Sequence, residues 1–352
     1  MDSLVFLIFF KHGIMSMFSG IIYEYPQIAI DNFNPLVSTY VISHLHLDHL
    51  CGIENFSASH LTEIYTSDST AKLILGRNSE FKNIVPYVKP LCLGKSYSIK
   101  IKYSDNDQYF SKDIINVTLI SSGHCLGSVM LFIEGKNGRV LYTGDFRFNL
   151  ENSNQLSSDY KINYLDGLYL DTTFMNKCCA HIPSREDSFV VIINLIEKIL
   201  LESLDTIIFI DYKVRYTLEA LYHLIYLKFN IKVHVDIKSY YQLKPLDESI
   251  SFCVDPCNWN SRIHACYMDS HCRKNFEEAK NKNKLFTIIP TTLWWSERNL
   301  VSNKEVHYID KFSVRVCFSH HSSFSEIIDF ILKVHSKSIY YCVSQTCNTL
   351  KK

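Results

Sequence analysis

The 352-residue sequence predicts an α/β chain, with an αββα sandwich first and parallel βαβ units after it. Three observations carry this reading. Short apolar runs at about 96–103, 115–122, 128–135 and 138–144 read as strands, with Asn137-Gly138 as a hairpin turn. Beyond residue 183 the pattern changes to a helix to about 202, a strand at 205–211, a helix at 214–229 and a strand at 232–236. Such alternation means parallel pairing. Hydrophobic residues make up 47% of the chain, which suits two or so domains with a large core.

Composition excludes little else. Formal net charge is zero, so no global basic field points to nucleic acid, and DNA binding would have to use local patches. Charge alone leaves a hydrolase without nucleic acid open. The 12 cysteines show no regular spacing and read as reduced, intracellular thiols. The apolar run Leu4-Val5-Phe6-Leu7-Ile8-Phe9-Phe10 is seven residues long. A membrane span takes about 20. Asp2 and the lack of a small-residue cleavage site argue against a signal peptide.

In chain order, a hairpin is expected over 15–37, with Asp31 after the alternating Gln27-Ile28-Ala29-Ile30. Cys51-Gly52-Ile53 should begin a helix, Glu63-Ile64-Tyr65-Thr66 a strand, and Ser67-Asp68-Ser69-Thr70 an N-capped helix to about Arg77. Gly167-Leu168-Tyr169-Leu170-Asp171 reads as a buried strand ending in a carboxylate. Ser184 is the expected N-cap of the next helix, with Asp187 as its capping-box partner. A strand at 312–318, a helix at 325–335 and a strand at 338–343 close the chain.

The chemistry concentrates in Ser43-His44-Leu45-His46-Leu47-Asp48-His49, which follows the apolar Tyr40-Val41-Ile42. If this stretch leaves the strand extended, His44, His46 and Asp48 share a face, and His49 needs a bend to join them. Imidazoles with a carboxylate suit zinc with a position left open for water. Two later strand ends offer further donors beside a glycine. These are Ser122-Gly123-His124-Cys125 and Tyr142-Thr143-Gly144-Asp145-Phe146.

These motifs resemble the metallo-β-lactamase signature, H-x-H-x-D-H, then G-H, then T-G-D. Gly123-His124-Cys125-Leu126-Gly127-Ser128, Gly144-Asp145-Phe146-Arg147, Tyr169-Leu170-Asp171-Thr172-Thr173-Phe174 and Cys317-Phe318-Ser319-His320-His321-Ser322-Ser323 are similar to the β-CASP DNA-processing branch, in its Artemis-like form. The resemblance implies a metallo-β-lactamase sandwich at 15–175 and 310–352, with an inserted parallel α/β β-CASP domain at 176–309. Residues 1–14 precede the family register and are expected to be an extension or a mis-set start.

The resemblance also implies roles. One zinc would take His44, His46, His124 and Asp145; a second would take Asp48, His49, the bridging Asp145 and His321. His320 and His321 compete for the last position, and the family pattern picks His321. Asp48, His49, Asp145 and Asp171 would be the catalytic group, with Asp171 supporting the first-metal ligands; its plainer reading is a cap on Thr173. Asp31 would orient a ligand histidine; its plainer reading is a turn residue. His234, His264, Cys266 and Cys272 match a structural zinc site in the insert, against a reading as buried thiols and ordinary histidines. Lys213, Arg215, Thr292 and Trp294 would contact DNA, although core packing explains a tryptophan there equally well. Leu45, Leu47 and Leu126 depart from the family's usual residues without touching the ligands.

The implied activity is a zinc-dependent nuclease, with magnesium or manganese as alternative activating ions. It would open DNA hairpins and trim overhangs in nuclear end joining. The alternatives are an Apollo-like 5′ exonuclease, a non-catalytic scaffold, a small-molecule hydrolase and an RNA endonuclease. No membrane association is expected. The family's long tail is not in this sequence, so a DNA-dependent protein kinase complex as partner would rest on the core alone.

Overall fold

The computed structural model describes residues 18–59, 62–101, 113–246, 253–266, 270–296 and 305–343. The expected extension at 1–14 lies outside them. The described residues fall into two compact units, one drawn from 1–74, 78–177 and 321–352, the other from 75–77 and 178–320.

The first unit holds two sheets. One runs in chain order through β1 (Ile21–Ile22), β2 (Tyr25–Ile30), β3 (Thr39–Val41), β4 (Glu63–Ser67) and β5 (Val88–Leu91), parallel from β2 onward. The other contains β6 (Ser96–Ile101), β7 (Asp113–Ser121), β8 (Val129–Gly135), β9 (Gly138–Tyr142) and β10 (Leu165–Leu170), with the strand Ser336–Tyr341 beside β10. Pairing is antiparallel from β6 to β9 and parallel from β9 outward.

The alternation of side chains explains the layers. Ile115, Val117 and Leu119 of β7, with Val129, Leu131 and Ile133 of β8, pack toward Tyr25, Ile28 and Ile30 of the other sheet. The intervening Ile120, Met130, Phe132 and Leu141 pack on Leu156 of the helix Leu150–Asp159 and on Ile327, Phe330 and Ile331 of the helix Phe324–Val334. The helix Asp68–Gly76 buries Leu73 and Ile74. Both faces of the second sheet are therefore apolar, as a sandwich with outer helices requires.

The second unit is a seven-stranded sheet. It comprises β11 (Ile207–Ile210), β12 (Val233–His234), β13 (Val254–Asp255), β14 (Ile263–His264), β15 (Leu285–Thr291), β16 (Val306–Asp310) and β17 (Ser313–Cys317) in the order 13-12-14-11-15-17-16. Ile208, Ile210, Val233, Ile263, Ile288 and Val314 face the helices Arg185–Glu202 and Glu219–Phe229. Ser184 caps the first of these through the Asp187 amide at 3.0 Å, while the Asp187 carboxylate accepts from the Ser184 hydroxyl at 2.6 Å.

Several expectations need correction. Cys51-Gly52-Ile53 begins no α-helix; the chain makes 3₁₀ turns at Leu47–His49 and Ile53–Asn55, with Gly52 left-handed at φ 82°. The helix expected from 214 starts at Glu219, because Tyr216 takes a left-handed φ of 64°. The strand expected at 312–318 as part of the returning chain pairs instead with β15, its Val314 and Val316 filling the second core. The chain re-enters the first unit at His321, not near 310.

Candidate metal centre

The donors converge at strand ends of the first unit. Beyond β3 the backbone reaches His46, which is extended, and then turns through the 3₁₀ segment Leu47–His49. That turn supplies the bend His49 needs, and it leaves the Asp48 side chain 77% exposed. His124 and Asp145 each follow a glycine with positive φ, Gly123 at 69° and Gly144 at 52°. A Cβ on Gly123 would lie 2.6 Å from the Arg147 carbonyl oxygen, so both the backbone angle and the space require glycine there.

Three ring nitrogens meet. His46 Nδ1 lies 3.1 Å from His44 Nε2 and 3.0 Å from His124 Nε2. Asp145 Oδ2 is 3.7 Å from His44 Nε2 and 3.4 Å from His124 Nε2. Its Oδ1 is 3.3 Å from His49 Nε2, which is in turn 3.7 Å from Asp48 Oδ2. His321 Nε2 approaches Asp145 Oδ2 at 3.9 Å. Asp145 thus lies among all these donors, with Oδ2 toward His44, His124 and His321 and Oδ1 toward His49.

The proton positions follow from Asp31. A carboxylate only accepts, so the Ser43 hydroxyl and the Tyr142 hydroxyl donate to Asp31 Oδ2 at 2.6 and 2.8 Å, and the Ser43 amide donates to Oδ1 at 2.7 Å. The Ser43 oxygen, having donated, accepts from His44 Nδ1–H at 2.9 Å, which leaves the lone pair of His44 on Nε2. His49 likewise donates from Nδ1 to Asp31 at 2.7 Å and presents Nε2. Such outer contacts fix which nitrogen a histidine offers to a metal. Asp31 sits at a left-handed φ of 55° and is buried.

Asp171 Oδ2 takes the Nδ1 proton of His321 at 2.8 Å, while Oδ1 accepts from the Thr173 amide and hydroxyl. This corrects one expectation: Asp171 supports His321, not the donors around His44.

Charge reflects the same geometry. Burial pulls His49 toward the neutral form, but the carboxylates of Asp31 and Asp145 prevail and hold its pKa well above the usual value. His321 is raised in the same way, burial opposing and Asp171 and Asp145 prevailing. Burial and Asp31 push the Tyr142 hydroxyl well above its ordinary value, so it stays a donor. A pocket in which carboxylates outweigh burial and favour positive charge fits a cation, which would take the place of the extra proton on the rings. Nitrogen spacings of 3.0–3.1 Å approach the tetrahedral edge of about 3.3 Å that zinc–nitrogen bonds of roughly 2.0–2.1 Å produce.

Sequence reasoning missed Ser43 and Tyr142 as orienting groups. It also missed Cys125, whose sulfur lies within 4.8 Å of donor atoms of His44, His46 and His124. The adjacency of Ser43 to His44 was visible; the Tyr142 contact spans 111 residues and had no local signal.

The metallo-beta-lactamase superfamily profile matches residues 37–174, and the profile of the DNA repair metallo-beta-lactamases matches residues 250–346. The chain belongs to the metallo-β-lactamase superfamily. Within it the chain is of the Artemis-like β-CASP type. It is 32% identical over 347 residues to Protein artemis of Gallus gallus, covering 93% of this chain and 47% of that one. The human Protein artemis is 30% identical over 361 residues, covering 96% and 51%. The 5' exonuclease Apollo of Danio rerio is 29% identical over 297 residues, covering 84% and 46%. The chain spans about half the length of the curated relatives it matches. A crystal structure of a protein of unknown function from Enterococcus faecalis V583 shares the fold, with a TM-score of 0.53, 16% identity and coverage of 87% and 75%. Membership of this superfamily implies metal binding, in keeping with the donor groups above.

This superfamily chain has a second donor cluster, in the other unit. His234, His264, Cys266 and Cys272 are all buried, and their donor atoms lie within 4.8 Å of one another. Parallel register pairs His234 with His264, on the sheet face opposite Val233 and Ile263. Cys266 follows two residues on, and Cys272 comes from the helix Ser270–Asn281 with its sulfur 3.0 Å from that of Cys266. Both imidazoles donate to backbone carbonyls, His234 Nδ1 to Asp255 at 3.0 Å and His264 Nε2 to Ser261 at 2.7 Å. Each neutral ring therefore turns its lone pair the other way, and His264 Nδ1 is 3.9 Å from the Cys272 sulfur. The six-residue separation of the cysteines is bridged because the second one sits on a helix.

The residues expected to contact DNA are dispersed in character. Lys213 is exposed, and Arg215 reaches Gln242 Oε1 at 3.5 Å. Thr292 is buried with its hydroxyl donated to the Phe318 carbonyl, so it is part of the packing. Trp294 stacks on His307 with centroids 4.4 Å apart, and the Arg315 guanidinium lies 5.1 Å from its ring centre. Trp295 is the buried tryptophan of the pair. Among the described residues no helix is long and apolar enough to cross a membrane.

Proposed function

We propose that this chain is a zinc-dependent DNA nuclease that hydrolyses phosphodiesters at hairpins and overhangs during end joining in the nucleus. The observation that carries the reading is Asp145, whose carboxylate lies among His44, His124 and His321 through Oδ2 and beside His49 through Oδ1. One zinc would be held by His44, His46, His124 and Asp145, and a second by Asp48, His49, Asp145 and His321. Bound metals there supply Lewis acidity toward a phosphodiester and make water acidic enough to ionise near neutral pH.

The chain's own groups do the rest. Asp48, open to solvent beside His49, accepts the proton of the attacking water. Asp31 and Asp171 hold the ring orientations of His49 and His321. Lys213 and Arg215 contribute local positive charge for the phosphate backbone, which a chain of zero net charge needs. The cluster of His234, His264, Cys266 and Cys272 holds a structural zinc. Partnership with a DNA-dependent protein kinase complex is a further part of this proposal, as is activation by magnesium or manganese.

The test is cleavage of labelled hairpin, overhang and single-stranded DNA by the unchanged chain and by Asp48→Ala, with metal content measured in parallel. Hairpin opening that depends on Asp48 is expected. Attack from 5′ ends alone would move the assignment to the exonuclease reading that the Apollo relatives favour. Full metal content without cleavage of any substrate would sink the nuclease reading.

A further inference from the structure

Arg147 follows the bridging Asp145 by two residues, and its guanidinium is almost wholly buried, 5% exposed. Its backbone amide donates to the Ser122 carbonyl at 2.9 Å, beside the strand end that presents His124. Its Nη1 donates to the His321 carbonyl oxygen at 2.7 Å and lies 3.2 Å from Glu326 Oε2. The same Oε2 accepts from the Ser323 amide at 2.7 Å and the Ser323 hydroxyl at 2.8 Å, forming the capping box of the helix Phe324–Val334. A buried guanidinium is costly unless its charge is paired and its N–H groups are used. Here one contact secures a helix start and the other secures the backbone of a donor residue.

The neighbouring contacts run the same way. Ser322 donates its amide to the Phe146 carbonyl at 2.9 Å, and the Phe148 amide donates to the Ser322 hydroxyl at 2.9 Å. The segment after Asp145 thus grips the segment after His321.

We propose that Arg147 is a positioning residue that sets His321 in the metal centre and thereby fixes how firmly the centre holds its metal. This rests on the function proposed above, in which His321 is a ligand. His321 is held at its ring by Asp171 and at its following peptide on both sides, the carbonyl by Arg147 and the Ser322 amide by the Phe146 carbonyl. With the carbonyl released, the peptide keeps only the Ser322–Phe146 bond on its other side and can tilt about it, carrying the ring with it. Metal–nitrogen bonds are short, so a displaced donor weakens binding.

The experiment loads the full chain with cobalt and follows its release to excess chelator, well below the unfolding temperature, in the unchanged chain, Arg147→Met, Arg147→Lys and His321→Ala. Thiolate-to-cobalt absorption that persists in Cys125→Ser separates the ion held by Cys266 and Cys272. Arg147→Met is expected to release the other cobalt on the order of 10–100-fold faster, as His321→Ala does, and the double variant no faster than His321→Ala. The visible spectrum of Arg147→Met should move toward that of His321→Ala. A role in stability alone would lower the unfolding temperature and move neither readout. Unchanged release and spectrum in Arg147→Met overturn the inference. Unchanged release in His321→Ala overturns the ligand assignment and the inference with it. Arg147→Lys, which keeps the charge but loses the fork, carries the same comparison should the methionine variant not fold.

Discussion

The two donor clusters differ in every respect that separates reactive metal sites from structural ones. The cluster around Asp145 mixes nitrogen with carboxylate oxygen, and one of its members, Asp48, faces solvent. The cluster around Cys266 has two nitrogens and two sulfurs, all buried, with both imidazoles anchored on backbone carbonyls. Structural zinc sites are closed, whereas catalytic sites keep a position open. Anchoring differs as well. In the first cluster His49 and His321 lean on carboxylates, which raise ligand basicity, and His44 on the Ser43 hydroxyl, whereas both histidines of the second lean on neutral carbonyls.

The contrast can be broken most forcefully at Asp145. Asp145→Ala is expected to lower DNA cleavage about 10²–10³-fold or more, since several kcal/mol of charge stabilisation is lost at roughly 1.4 kcal/mol per tenfold. The unfolding temperature should barely move, and a large drop in it would merge the two kinds of cluster. Asp31→Asn, which leaves the ligands in place, should weaken metal binding about 10–100-fold in a chelator titration. Cys272→Ser should act in the opposite sense. It should lower the unfolding temperature by about 5–10 °C, a loss of roughly 3 kcal/mol in a chain of this size, with cleavage at low temperature nearly kept. Abolished cleavage in that variant would mean that the second cluster takes part in the reaction.

The smallest effect separates the units by pH. Burial raises the carboxyl of Glu219, in the second unit, from about 4.5 to about 7. A raised pKa means that the folded state favours the protonated form. The stabilisation is complete below about pH 4.5 and is lost as the pH rises through 7. Relative to Glu219→Gln, the unchanged chain should therefore lose about 2–4 °C in unfolding temperature between pH 5 and pH 8, allowing for solvent screening of a partly exposed group. Parallel curves for the two proteins would remove Glu219 as the cause.

Much of this was legible before any coordinates. Ligand types crowd into 44–49, and the two strand ends marked by Gly123 and Gly144 announce their donors through glycines that the backbone angles require. The alternating apolar strands gave the sandwich, because each residue of β7 and β8 must choose one of two faces. Other features had no local signal. Leu47–His49 reads equally well as an extended run, and only the 3₁₀ turn shows why Asp48 is exposed while His49 is not. The strand Ser313–Cys317 looks the same whichever sheet receives it; its neighbour β15 decides. Contacts such as Tyr142 to Asp31 and Arg147 to His321 depend on chain segments more than a hundred residues apart meeting in space.

The grip between Phe146–Phe148 and His321–Ser323 also has a consequence in time. A ribosome that has just made Asp145 must still add 321 − 145 = 176 residues before His321 exists. At roughly 5–20 residues per second this takes about 10–35 seconds. Throughout that interval the emerging chain already carries His44, His46, His124 and Asp145, while the segment beyond Asp145 waits for its partner. One set of donors is complete early in synthesis and the other only late.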